Sequence, residues 1–215
     1  MPAKTTFQIN TWTSDFGRTY TDKNARTVEA MSQAFKELLG ISRLELNQCF
    51  LGHLDRKLRI LEVGCNVGVQ LQALQQMGFS ELYGIEIQSY AVEMSKEKTR
   101  GIQIIQGSGL DIPFKDGFFD LVYTSGVLIH VAPDEVKTVM SEMHRCASRF
   151  IWGYEYWAPE WTALEYKSRQ NLMWKTDYPR LFLEYFSDLR VVKEEKYQYI
   201  GGHEVDVMYL LEKMK

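Results

Sequence analysis

The residues of this chain best suited to chemistry lie around one short stretch. Leu61–Gly68 reads LEVGCNVG, after the basic, strand-like RKLRI and before the helix-like QLQALQQMGF. Gly64 and Gly68 let the backbone bend sharply there and approach a ligand closely. Two common nucleotide sites do not fit. A phosphate-cradling loop needs GxxxxGK(S/T), which is absent, and a dinucleotide loop needs GxGxxG, which this spacing misses. Glu62 stands two residues before the first glycine. A carboxylate at that point repels a pyrophosphate and attracts an ammonium or sulfonium charge. That charge preference points to S-adenosylmethionine.

Three more stretches carry polar or glycine-rich residues at the ends of apolar runs. Glu86 closes Glu81–Ile87 (ELYGIEI), where a carboxylate can accept both hydroxyls of a ribose. Gly107-Ser108-Gly109-Leu110-Asp111 follows Ile102–Gln106 and could bond an adenine amino group while an apolar side chain stacks on the base. Phe119–Thr124 (FFDLVYT, from Phe118) runs into the small-residue loop Thr124-Ser125-Gly126. In open α/β sheets ligands bind at the carboxyl ends of strands, so these four ends belong to one site.

The elements that must position these ends can be read from periodicity. Residues 24–51 are helical, with Val28, Met31, Phe35, Leu38 and Leu39 on one stripe. Strands are expected at Arg59–Val63, Glu81–Ile87, Ile102–Gln106, Phe119–Thr124 and Phe150–Tyr154. Helices are expected at Gln70–Met77, in SYAVEMSKEKTR and at Pro133–Ser148. Such alternation implies a mostly parallel sheet covered on both faces. Residues 155–175 are polar and aromatic with no clean period. Tyr178–Phe186 reads as a helix, and Asp188–Tyr199 and Glu204–Lys213 as two strands joined around Gly201-Gly202. The expected architecture is an α/β, Rossmann-like, doubly wound, mostly parallel seven-stranded sheet with an antiparallel C-terminal hairpin strand. Residues 1–55 would form an N-terminal helical cap, and 56–215 the core, with a substrate-side insert at about 155–177.

LEVGCNVG, YGIEI, GSGLDIPF and FDLVYTSGVLIHV stand in the order and spacing of class I S-adenosylmethionine-dependent methyltransferases, and the chain resembles that family over roughly residues 58–154. The resemblance implies S-adenosylmethionine as cofactor and S-adenosylhomocysteine as product. It implies that Gly64, Asn66 and Gly68 flank the methionine moiety and that Glu86, with Ile87 beside it, holds the ribose. Ser108, Gly109, Leu110 and Asp111 would surround adenine, with Thr124 at the fourth strand end. Asn66 departs from the glycine often found mid-loop. A narrower likeness lies in WTSDFGRTYTDKNA and in YEYWAPEW with the following EYKSRQNLMWKTDYPRLFLEYFSDLRVV. These resemble methylases associated with pseudaminic acid biosynthesis, which implies an acceptor in surface-saccharide metabolism.

Methyl transfer from a sulfonium needs alignment of the acceptor, exclusion of water and, for an oxygen or nitrogen acceptor, a positioned base. His130, a few residues past the fourth strand end, is the leading base, with packing or capping of its loop as the alternative. Glu155 is the second catalytic candidate. Tyr154, Tyr156 and Trp157 beside it would wall the substrate, and Lys167, Arg169 and Lys175 would suit an acidic sugar or a phosphorylated metabolite. Trp12, Phe16 and Tyr20 would sit in a lid over the donor, or else anchor the cap. Cys65 packs under the donor and has no paired base in sequence. His53, His130, His144 and His203 show no metal-ligand spacing, so no metal is expected.

Composition narrows the partners. The 215 residues carry a net charge of −3, which provides no global field for nucleic acid or anionic membrane. Three cysteines without CxxC spacing suit a reducing, cytoplasmic setting, and no apolar run reaches the length of a membrane span. A small-molecule acceptor and a monomer or homodimer are expected. A binding protein that has lost turnover and a nucleotide-linked oxidoreductase are the alternative readings.

Overall fold

The computed structural model describes residues 5–24 and 26–214. The helices α1 (Phe7–Thr13), α2 (Asp15–Asn24), α3 (Val28–Leu39) and α4 (Arg43–Leu51) precede the first strand. Side chains that satisfy orphaned backbone donors set several of their boundaries. Thr6 accepts from the Ile9 N–H, Thr27 from the Ala30 N–H, and Ser42 and Glu45 form a reciprocal capping box at the head of α4. Strands and helices then alternate: β1 (Arg59–Val63), α5 (Val69–Gln76), β2 (Glu81–Glu86), α6 (Ser89–Lys98), β3 (Gln103–Gln106), β4 (Phe119–Ser125), α7 (Pro133–Cys146) and β5 (Ala147–Tyr156). The remainder comprises β6 (Thr162–Tyr166), β7 (Arg169–Lys175), α8 (Tyr178–Tyr185), β8 (Leu189–Gln198) and β9 (Val205–Lys213).

Seven strands form one sheet in the order β3-β2-β1-β4-β5-β9-β8. Pairings from β3 to β5 are parallel, and β9 runs antiparallel to both β5 and β8. This is the mostly parallel α/β sheet with an antiparallel C-terminal strand that the alternation predicts. The chain winds outward from β1 to β3 and then crosses back to β4, so strand order reverses between β1 and β4. That reversal opens a crevice beyond the carboxyl ends of the two strands. The register brings their ends together, with Glu62 beside Tyr123 across β1 and β4, and beside Gly84 across β1 and β2.

Two apolar layers hold the sheet. On one face, Leu46, Phe50 and Leu51 of α4 pack with Leu71 and Leu74 of α5; on the other, Val136, Met140 and Met143 of α7 pack with Phe182 of α8. Full burial of such a side chain contributes about 1.5–3 kcal/mol. The clusters therefore fix the helices whose ends and neighbouring loops reach the crevice. Two expectations need correction. Leu38, placed on the buried stripe of α3, is exposed. Residues 155–175 hold a separate two-stranded hairpin, β6 against β7, with a register shift between Leu164 and Tyr166.

Candidate active site

The crevice is a cleft of about 310 Å³, within the size of small-molecule sites (roughly 300–1,000 Å³). The ends of β1, β2 and β4 form its floor, and α1 and α2 lie across it. The bend after β1 is built from left-handed residues: Gly64 has φ 75°, Asn66 48° and Gly68 80°. A Cβ on Gly64 would stand 2.8 Å from the Val127 side chain, so glycine is required where the bend meets the loop after β4. Asparagine is among the side chains that adopt φ > 0 most readily, which accounts for its place mid-loop. Its Oδ1 accepts from the Val67 N–H at 2.9 Å and its Nδ2 donates to Thr21 Oγ1 at 3.1 Å. Gly68 does not flank the ligand cleft as the family resemblance implies. It is the N-cap of α5, turned toward Ile104 and Thr99, and shapes the bend without lining the cleft.

Two carboxylates face this bend. Glu86 ends β2 and accepts from the Asn66 N–H and from the Gln88 N–H, both at 2.9 Å. Burial raises its pKa while those backbone donors hold it down. The carboxylate keeps acceptor capacity for a ligand. Glu62 is almost fully buried, and its Oε2 has no hydrogen-bond partner. Desolvation pushes its pKa up to about 8, against weaker opposition from the Tyr123 hydroxyl and the Arg43 guanidinium. Glu135 is the third charged residue on the lining; among the described residues no Lys or Arg lines the cleft. Such a wall, with carboxyl groups and no Lys or Arg among the described residues, one carboxyl having an orphaned buried oxygen, fits a cationic ligand, whose charge would favour the ionised form of Glu62. Ile87, Ser108, Gly109 and Leu110 continue the lining, and the Ser108 Oγ accepts from the Leu110 N–H at 3.1 Å to tighten their turn.

The roof comes from the cap. Trp12 and Tyr20 both line the cleft, with ring centroids 5.1 Å apart, and Phe16 packs on Trp12 at 5.5 Å. Trp12 also meets His130 edge-on at 4.7 Å. His130 ends a 3₁₀ turn, Leu128–His130, just past β4, and lines the cleft. Its Nδ1 lies 2.8 Å from the Leu172 carbonyl oxygen. A carbonyl can only accept, so Nδ1 carries the proton and Nε2 presents a lone pair. Desolvation lowers the His130 pKa to about 4, which keeps the ring neutral at ordinary pH.

Several assigned roles do not survive the geometry. Glu155 is fully buried and accepts from the Val127 and Ile129 N–H groups at 3.1 and 3.4 Å. It fixes the loop that carries His130 and does not reach the cleft; burial raises its pKa to about 7. Thr124 is fully buried beneath that loop, so it cannot touch a cofactor. Tyr154 is buried under the Arg43 guanidinium and donates its hydroxyl to Asp206, and Tyr156 packs edge-on with Tyr199. Lys175 pairs with Glu204 at 2.7 Å. Lys167 lies over Tyr20 at 4.7 Å and Arg169 over Phe16 at 4.6 Å, so both cations brace the roof from outside.

The structure also brings in residues that the sequence reading passed over. Thr21 and Gln88 join the roof to the bend, and Met31, Gln70 and Ser125 line the cleft. Behind that wall, Arg43 of α4 is fully buried, with Nε on Gln70 Oε1 at 3.1 Å and Nη2 on Ser125 Oγ at 3.0 Å. Its ring contacts with Phe35 and Tyr154 shelter the cation. Gln88, two residues past Glu86, had a positional signal; Arg43, inside an ordinary charged helix, had none. Among the described residues no cluster of His, Cys, Asp or Glu could hold a metal ion, and no helix is long and apolar enough to cross a membrane.

Known proteins are similar to this chain in sequence and fold. Residues 61–149 match the family model of a methyltransferase domain. An uncharacterized methyltransferase of Synechocystis sp. is 30% identical over 87 residues, which are 40% of this chain and 41% of that protein. The 24-methylenesterol C-methyltransferase 2 of Arabidopsis thaliana is 30% identical over 113 residues, 50% of this chain and 30% of its own. The matched region thus spans less than half the length of these curated relatives. The 1,6-didemethyltoxoflavin-N1-methyltransferase of Burkholderia thailandensis, solved with 1,6-didemethyltoxoflavin and S-adenosylhomocysteine, superposes with a TM-score of 0.72 at 14% identity, covering 100% of this chain and 94% of that one. Glycine bend, paired carboxylates and reversed strand order all fall within or beside residues 61–149, the part of the chain that is similar to a methyltransferase domain.

Proposed function

We propose that this chain transfers the methyl group of S-adenosylmethionine to an oxygen or nitrogen of a small-molecule acceptor. The observation that carries the proposal is the cleft itself: two buried carboxyl groups at the bend with no Lys or Arg among the described residues of the lining, and the lone pair of a neutral imidazole at the far end. When bound, S-adenosylmethionine supplies a methyl group already activated on a sulfonium. Glu86 would hold the ribose hydroxyls on its two oxygens, and Glu62 would meet the positive end of the donor. Ser108 to Leu110 would enclose the base. His130 Nε2 would take the acceptor proton, with Leu172 holding the ring in the tautomer that allows it. Trp12 and Tyr20 would exclude water from the reacting atoms.

The acceptor is read as small and without net negative charge. Lys167, Arg169 and Lys175 suggested an acidic sugar or phosphorylated metabolite, but all three are turned to other partners. A saccharide of surface-polymer biosynthesis, implied by the likeness to the pseudaminic acid-associated methylases, enters this reading through its hydroxyls. Calorimetric titration with S-adenosylhomocysteine tests the donor half, and no saturable binding would end the proposal. Transfer of labelled methyl from S-adenosylmethionine into fractionated metabolite extracts tests the acceptor half. Donor binding with no transfer to any fraction would leave a binding protein.

A further inference from the structure

The two residues that hold Glu86 by their backbones also hold the roof by their side chains. Asn66 and Gln88 each give a backbone N–H to the Glu86 carboxylate at 2.9 Å. Asn66 Nδ2 donates to Thr21 Oγ1 at 3.1 Å, and that hydroxyl donates in turn to Gln88 Oε1 at 3.0 Å. Gln88 Nε2 donates to the Trp12 carbonyl at 2.8 Å. Thr21 and Gln88 are both buried, so these bonds are not exchanged with solvent in this state. The approach is close. A Cβ on Gly17 would stand 1.9 Å from the Trp12 oxygen and 2.3 Å from Gln88 Nε2, so the side chain of Gln88 reaches α1 only because residue 17 has none. Trp12, held this way, meets His130 edge-on, and Tyr166 also contacts the imidazole, with ring centroids 5.0 Å apart.

The geometry points to Thr21 and Gln88 as positioning residues that couple occupancy of Glu86 to the placement of α1 and α2. A ligand on the Glu86 carboxylate fixes the Asn66 and Gln88 backbones. Their side chains then fix Thr21 and the Trp12 carbonyl, and Trp12 closes over His130. Donor binding thereby holds the acceptor half of the cleft in place. This rests on the donor site proposed above.

Amide hydrogen exchange over residues 7–24, with and without saturating S-adenosylhomocysteine, tests the coupling. In the native sequence the ligand should slow exchange there tenfold or more. Thr21→Val, which keeps the shape and loses the hydroxyl, should bind the ligand within about fivefold yet lose most of that added protection; Thr21→Ser should restore it. A folded control is read from exchange across β1 and β4, which should be equal in all three proteins. Gln88→Ala, which leaves the backbone donor to Glu86 in place, gives the same outcome from the other side of the latch. Unchanged exchange over 7–24 in the native protein, despite ligand binding, overturns the inference alone. Full protection retained in both Thr21→Val and Gln88→Ala does so as well. Failure of the native protein to bind the ligand removes the proposed function and this inference with it.

Discussion

At the scale of single residues, the site sets stability against binding. Glu62 is buried with an orphaned oxygen, and its carboxyl holds a proton up to about pH 8. The unfolded chain releases that proton in the ordinary carboxylate range. Raising the pH between those values therefore costs stability, since the unfolded state binds fewer protons there. Glu62→Gln should remove this cost, stabilising the ligand-free protein by about 2 kcal/mol or more at pH 8 relative to pH 5. It should also weaken S-adenosylhomocysteine, which retains an ammonium group, most strongly at high pH where the native carboxylate is charged. Urea unfolding and calorimetry at the two pH values check both halves; loss of stability at pH 8 together with unaltered affinity would remove Glu62 from the site. His130 has the opposite logic. Its pKa of about 4 leaves Nε2 free across the neutral range, so its contribution to turnover should decline only as pH falls toward 4. His130→Ala should slow methyl transfer by about 10²–10⁴ while donor affinity stays within a few-fold. An equal loss in both would mark a packing residue.

At the scale of elements, the loop between β4 and α7 carries the proposed base, His130, and a neighbouring strand holds it. Glu155, on β5, accepts from two backbone donors of that loop. Glu155→Ala would leave both N–H groups buried without partners, at about 1–3 kcal/mol each, and would release the turn that aims His130. Thermal unfolding should show the stability loss, and turnover should fall further than donor affinity; intact turnover would assign Glu155 to the fold alone. The sequence made the strands, the helices and the donor-side ends of this site legible because each has a period or a glycine that physics demands. Glu155 was misread because a charged residue after an apolar run looks exposed, whereas β5 continues to Tyr156 and buries it. The β6–β7 hairpin was illegible for a different reason. Its turn residues Lys167 and Ser168 adopt φ 48° and 59° without the glycine or asparagine that normally announces such a turn. The burial of β7 runs exposed and then buried, with no alternation to read.

At the scale of the molecule, the cleft is assembled from parts distant in sequence: the cap helices, three strand ends and the loop before α7. A ligand that touches all of them binds the folded chain and not the unfolded one, so it stabilises the whole by mass action. At a concentration one hundred times its dissociation constant, S-adenosylhomocysteine should add about 2.7 kcal/mol. For a chain of this size that is a rise of about 5–10 °C in the unfolding midpoint, followed by circular dichroism. Because the contacts reach both the cap and the sheet, the transition should move as one step. A ligand-induced shift confined to sheet signals, with the cap melting at its unliganded temperature, would mean that α1 and α2 contribute nothing to donor binding. NADH at the same excess should leave the midpoint where it was. The bend lacks the GxGxxG spacing, and the Glu62 carboxylate at the end of β1 would repel a pyrophosphate seated there. A midpoint raised by NADH and left alone by S-adenosylhomocysteine would reverse the assignment of the cleft.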